Sequence, residues 1–306
     1  MFQKNSVKGL RIGAVQNKKA FPDFFIFLEK AREWSSQWVE FKYERELDPE
    51  GRMRGVAGEK LGRLAEKYGI PVSVHAPYNP DVNLGASDKE VRAYTREQMK
   101  ACLDFASRIK ARFITVHGGY LMLKGFSPPE VTDSNQPLYL LVRNQVPLRE
   151  YDSFKQRIFS EIKKFMTQAA TRGIPVALEN LHGFFDVKAR FPVTPEDYNE
   201  CRTKLGEDLY LVYDTGHGNS TGLHIIDYIN KVGPGRIAGT HIHDNKGKLD
   251  QHLPLGNGNI DFTAFFYNYL SNKWSFPLNL EMRTEEDFAS SRLYVRKLLA
   301  AIQNKF

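Results

Sequence analysis

Short apolar runs in this sequence end, one after another, on residues that can move protons or bind metal. Val74 leads into His75-Ala76-Pro77-Tyr78, Val116 into His117-Gly118-Gly119, and Leu178 into Glu179-Asn180. Tyr213 leads into Asp214-Thr215-Gly216-His217, Thr240 into His241-Ile242-His243-Asp244, and Leu280 into Glu281-Met282-Arg283. One such histidine would be an ordinary polar residue. Six successive runs ending in His, His, Glu, Asp, His and Glu are a different case. Gathered together, their carboxylates repel and lack partners, which is costly in a buried place. A divalent cation removes that cost. Mixed imidazole and carboxylate donors suit Zn, Mn, Co or Fe. Asp250 and His252 add two more donors at i, i+2, so an extended loop can aim both at one point. Gly256 and Gly258 then allow the backbone to return tightly.

The elements that would gather these residues recur along the chain. Runs rich in Val, Ile and Leu occur at Leu10–Val15, Trp38–Tyr43, Pro71–His75, Phe113–His117, Ile174–Glu179, Leu209–Asp214, Ile237–His243 and Pro277–Met282. Amphipathic stretches lie between them. Arg54–Tyr68 ends in Gly69 and Tyr151–Arg172 ends at Gly173, both helix stops. Asp88–Lys110 carries an apolar stripe. Pro195–Leu205 follows Thr194 as N-cap with proline at N1. The last helix opens at Thr284-Glu285-Glu286-Asp287, acidic near its positive end. About eight strands alternating with about eight helices imply a parallel sheet, closed as a (β/α)8 barrel. The 306 residues are read as a single domain of this α/β, TIM-barrel class. No G-x-G-x-x-G follows the first strand, so a dinucleotide fold has no support.

One interval is long: His117 and Glu179 stand 62 positions apart, where other units take roughly 35–45. The excess, about residues 120–151, reads as an insertion after strand four. It holds Ser127-Pro128-Pro129, Asp133-Ser134-Asn135 and a β-like run at Leu138–Val142. On the active-site face of a barrel it would be a lid, a specificity element or a plain hairpin.

Composition narrows the class further. Hydrophobic residues are 42% and charged residues 26%, which excludes collagen-like, coiled-coil and disordered chains. No apolar stretch approaches the ~18 residues of a spanning helix, and no signal-peptide core precedes the first strand. Cys102 and Cys201 lack metal-type spacing and are read as free and structural. A cytoplasmic protein without membrane partners is expected. Lys and Arg number 43 against 36 Asp and Glu, a surplus that permits a phosphate-bearing partner without demanding one.

With H-A-P-Y, H-G-G, L-E-N, D-T-G-H, H-I-H-D-N, D-x-H-L-P-L-G-x-G-x-I-D and L-E in this order, the chain resembles the xylose isomerase-like barrel superfamily. The resemblance runs from about Leu10 to Glu281. That superfamily joins sugar and sugar-phosphate isomerases and epimerases to endonuclease IV-type abasic-site nucleases, AP endonuclease family 2.

Each branch implies a use for the ligands. The isomerase and epimerase branch implies one divalent ion, Mn, Co, Mg or Zn, on Glu179, Asp214, His241 and Glu281. It implies proton transfer through an enediolate, with one of Glu179 and Glu281 removing a proton from carbon and the other returning it. His217 would contact a substrate oxygen. The nuclease branch implies up to three zinc ions. His75, His117 and Glu179 would hold one; Glu179, Asp214, His241 and Glu281 the second; His217, Asp250 and His252 the third. A hydroxide would then attack a phosphodiester of abasic DNA.

Departures favour the first branch. The nuclease pattern D-T-C-H is Asp214-Thr215-Gly216-His217 here. The apolar run that enters DNA is replaced by the polar Asn79-Pro80-Asp81-Val82-Asn83-Leu84, where Asp81 would repel phosphate. No basic–aromatic groove motif occurs in the strand-end loops. A small-molecule sugar or sugar phosphate is therefore the expected partner, with nucleic acid only under the alternative. His182, His243 and Arg283 join His217 as candidate substrate contacts, Arg283 for a phosphate or carboxylate. His224 is read as surface. The chain is compatible with a homodimer, though no stretch marks an interface.

Overall fold

A computed structural model describes residues 10–78, 80–123, 138–183 and 188–303. Every expected apolar run contains a strand: β1 Ile12–Val15, β2 Val39–Lys42, β3 Val72–His75 and β4 Ile114–Val116 come first. Gly119–Met122 (β5), Val176–Glu179 (β6), Lys188–Phe191 (β7), Leu209–Asp214 (β8), Ile237–Ile242 (β9) and Leu278–Leu280 (β10) follow. Eight of them close a parallel barrel in the order β1-β10-β9-β8-β6-β4-β3-β2. β5 and β7 stand apart as an antiparallel ribbon.

The helices are α1 Phe24–Glu33, α2 Val56–Tyr68, α3 Lys89–Arg108, α4 Leu138–Arg143 and α5 Leu148–Ala170. Pro195–Leu205 (α6), Thr215–Asn219 (α7), Ile225–Val232 (α8), Phe262–Ser271 (α9) and Glu285–Gln303 (α10) complete the set. The expected start of α6 is realised as a capping box: Thr194 and Asp197 satisfy each other's backbone N–H groups. Among the described residues no helix is long and apolar enough to cross a membrane.

Strand alternation sorts the barrel interior into levels. Trp38, Phe113, Ala177 and Val212 pack as an apolar plug inside it. Two residues further along sit Glu40, Thr115, Glu179 and Asp214, and the next step on β2 brings Lys42 level with His75. The outward-facing residues between them, such as Phe41, Val74, Ile114 and Leu178, join the main core under the helices. Polar side chains thus have a reason to collect at one end: the other end is filled.

The insertion differs from expectation in two ways. Leu138–Val142, read as β-like, lies in α4. A short, continuous apolar run has no periodicity to separate helix from strand. Here Arg143 fixes the helix by an ion pair with Asp197, Nη2 to Oδ2 2.7 Å. The strand β7, with which β5 pairs, is an element the sequence pattern did not suggest. Residues 124–137, with Ser127-Pro128-Pro129 and Asp133-Ser134-Asn135, lie outside the described residues.

Candidate functional site

Glu179, the last residue of β6, is 2% exposed and ringed by imidazoles. Its Oε2 lies 3.0 Å from Nε2 of both His75 and His117. Its Oε1 lies 3.2 Å from His241 Nδ1 and 3.4 Å from His217 Nδ1. Glu281 reaches the same point, its Oε2 3.4 Å from His241 Nδ1.

In two of these rings the other nitrogen is committed. His75 Nδ1 donates to the Ala76 carbonyl at 2.7 Å, and His241 Nε2 donates to Glu40 Oε1 at 2.8 Å. A neutral imidazole so anchored presents a bare lone pair at its other nitrogen. Both bare nitrogens face carboxylate oxygens, acceptor against acceptor. Either each ring is protonated or a cation lies among them. Ligands about 2.0–2.2 Å from a common tetrahedral ion stand roughly 3.3–3.6 Å apart, close to the spacings of His241, Glu179 and Glu281. The donor set therefore fits a divalent metal.

A second group adjoins the first. His243 Nε2 lies 3.1 Å from Asp214 Oδ1, and the His243 ring stacks on His252 at 3.9 Å. His252 Nε2 lies 3.3 Å from Asp250 Oδ1, and His217 Nε2 3.6 Å from Asp250 Oδ2. The loop that returns Asp250 and His252 to the mouth is latched by Asp244, whose carboxylate accepts from the N–H groups of Asn245, Gly256 and Gly258, each at 2.9 Å. A Cβ at Gly258 would come within 2.2 Å of Asp244 Oδ1 and Asn245 O, so glycine is needed there. Four triplets, His75–Glu179–His241, Asp214–His241–Glu281, Asp214–His217–His243 and His243–Asp250–His252, each bring three donor atoms within 4.8 Å of one another.

Above this floor opens a cleft of about 900 Å³ whose wall includes Glu179, Glu281, His217 and His182. That is the size of a small-molecule site.

The sequence matches the family described as Xylose isomerase-like TIM barrel over residues 28–304. The chain belongs to the xylose isomerase-like TIM barrel family. An uncharacterized protein of Methanocaldococcus jannaschii is 26% identical over 248 residues, 80% of this chain and 75% of that one. Among solved structures, a D-tagatose 3-epimerase-like protein superimposes with a TM-score of 0.74 at 22% identity, covering 97% of this chain and 99% of that one. An L-ribulose 3-epimerase gives 0.71 at 17%, covering 97% and 96%. At these identities the likeness is one of fold.

Within this xylose isomerase-like barrel, all the sequence-derived metal candidates meet at the mouth. His182 lines the cleft, its ring 5.3 Å from that of His217, and Arg283 stands on the rim. His243, expected as a substrate contact, is fully buried against His252 and Asp214 and is not among the residues that line the cleft. His224 is exposed and caps α8, as expected of a surface residue.

Two site residues are absent from the sequence-based set. Glu40 is fully buried and accepts from Ser73 Oγ at 2.7 Å and Thr115 Oγ1 at 3.0 Å as well as from His241. Lys42 Nζ pairs with Glu281 Oε1 and approaches the Tyr78 hydroxyl at 3.4 Å. Their signal is two charged residues at i, i+2 inside the apolar run Trp38–Tyr43, on one strand face.

The electrostatics follow from this packing. Burial pushes the Glu179 carboxyl up, but the charges of His241 and His117 outweigh it and hold it well below the carboxylate range. Glu281 is held low in the same way, against burial, by Lys42 and then His241. Burial lowers His241, and Glu179 and Glu40 more than reverse this. For His117 burial prevails over Glu179, and its pKa is lowered from the ordinary imidazole value.

Proposed function

We propose that this protein is a divalent-metal-dependent isomerase or epimerase acting on a sugar or sugar phosphate. The observation that carries the reading is the pair Glu179 and Glu281. Both are buried at the floor of a cleft sized for a small molecule, and both meet His241 Nδ1, at 3.2 and 3.4 Å. The epimerase structures with the same fold agree with it.

In this reading Glu179, Asp214, His241 and Glu281 hold the ion. A divalent ion there supplies Lewis-acid stabilisation of negative charge on the substrate's oxygens. Glu40 fixes the tautomer of His241. Lys42 holds Glu281 as an anion facing the cleft. One of the two glutamates, as its anion, removes the proton on carbon, leaving an enediolate, and the other, having first taken a proton from solvent in the cleft, delivers it to form the product. The first ends neutral and the second ionised, and solvent in the cleft resets them. His217 and His182 orient substrate oxygens. The chain works as one domain in the cytoplasm.

A second reading has its own support. Asp250, His252 and His217 converge beside the first group, as a three-zinc phosphodiesterase acting on abasic DNA would need. The test of the first reading is a panel of ketoses and their phosphates assayed with the metal-loaded protein and again after chelation. Conversion of one substrate, lost on chelation and restored by metal, upholds it. Incision of abasic DNA with every sugar unchanged selects the second reading.

A further inference from the structure

Around the acidic floor, the wall of the cleft is cationic. Lys18 and Lys19 follow β1, Arg283 follows β10, and Lys188 and Arg190 stand on β7. The acidic residues of the wall, Glu179, Asp250 and Glu281, all belong to the floor. β1 and β10 are neighbours in the barrel, so Lys18, Lys19 and Arg283 share one side of the rim. β6, which leads into β7, lies four places from β1 in the ring of eight and so faces it.

The near side is built. Asn17 Oδ1 accepts from the backbone N–H of Lys19 at 3.0 Å, and Asn17 Nδ2 donates to the Arg283 backbone carbonyl at 2.5 Å, which ties the two loop backbones together. Arg283 Nη2 donates to the Asp250 carbonyl at 3.0 Å. That bond orients the guanidinium without neutralising it. Neither Lys19 nor Arg283 meets a carboxylate among the described residues, whereas Lys18 pairs with Glu44. An oriented guanidinium and a lysine ammonium on the same side of the rim, neither neutralised by a carboxylate, attract and hold an anion, and the guanidinium does so through paired donors.

We propose that the substrate is an anionic sugar, its phosphate or carboxylate held at the rim by Arg283 and Lys19 while its carbonyl and hydroxyl end reaches Glu179 and Glu281. This rests on the sugar isomerase reading and narrows its substrate class. The charged group sets affinity and orientation and takes no part in the proton transfer.

Calorimetry on the metal-loaded full chain tests it, with a ketopentose, its phosphate ester, a hexuronate and inorganic phosphate as probes. Wild type should bind one of the two anionic sugars at least about ten-fold more tightly than the neutral ketopentose. Lys19→Ser combined with Arg283→Ser should erase that margin and leave the neutral sugar's affinity unchanged. Whether the ester or the uronate carries the margin identifies the anion. Equal affinity for neutral and anionic sugars, or equal weakening of both in the double variant, overturns the proposal. If no sugar binds at all, the isomerase reading fails, and the rim is judged on inorganic phosphate alone. Binding weakened about ten-fold in the double variant upholds an anion site; equal or absent binding in both proteins overturns it.

Discussion

Nε2 of His241 lies 2.8 Å from Oε1 of Glu40, and both side chains are completely buried. This contact decides which nitrogen of His241 faces the mouth. Burial pushes the Glu40 carboxyl up, and the charge of His241 more than reverses this, so Glu40 stays ionised. An ionised carboxylate accepts a hydrogen bond from Nε2–H, which keeps the proton on Nε2 and leaves the lone pair of Nδ1 for metal.

Glu40→Gln should therefore weaken metal binding. An amide can still accept at Nε2, but it supplies no charge to raise the basicity of the ring. A loss of about ten- to a hundred-fold in affinity is expected, measured by competition with a chromophoric chelator. Unchanged affinity would show that His241 does not hold the metal.

Lys42→Met should leave Glu281 as a buried anion without its counter-charge. A stability loss of roughly 3–5 kcal/mol in the metal-free protein is expected from urea unfolding. Metal should restore part of it, because the ion takes over the balance of charge at Glu281. A variant as stable as wild type would mean that the pair is solvated in solution.

The metal-free protein should have a definite pH window of stability. Glu40, Glu179, Glu281 and Asp250 are held below their ordinary values. Their contribution is present above about pH 4.5 and is lost as pH falls through the depressed values. His217, His241 and His252 are raised: burial lowers each ring, and carboxylates, Asp214, Glu179 and Asp250 among them, more than reverse it. Their contribution is full below about pH 6.5 and is lost as pH rises through the raised values. Tm of chelated protein should fall on the alkaline side, and reloading with metal should remove that fall, since metal replaces the protons. A metal-free Tm that is flat from about pH 6.5 to 9 would contradict this.

Asp250→Ala with His252→Ala separates the readings by metal count. A one-ion isomerase keeps one ion per chain and retains reduced turnover. A three-zinc hydrolase loses an ion and all incision. Elemental analysis of wild type and double variant, purified without chelators, gives the numbers; three ions in wild type would favour the hydrolase.

The barrel was legible because each strand is a run of Val, Ile and Leu long enough to cross it, and the runs alternate with capped amphipathic helices. The site was legible because six of those runs end on ligating residues. Glu40 and Lys42 were hidden because they sit within a run whose neighbours Trp38, Val39, Phe41 and Tyr43 are all apolar. The run Leu138–Val142 could not reveal its helix, since five residues show no period. That His243 lies under His252 and not on the cleft wall was hidden because the covering ring comes from a loop, which no spacing on β9 announces.

The central claim is carbon proton transfer between Glu179 and Glu281. It is tested most directly by incubating the metal-loaded protein with ketoses and ketose phosphates in deuterium oxide and following the carbon-bound protons by NMR. One sugar should exchange a single carbon-bound proton for deuterium as its epimer or isomer forms, and Glu179→Gln and Glu281→Gln should each abolish the exchange. Product formed with that proton fully retained, or exchange undiminished in both variants, would contradict the account.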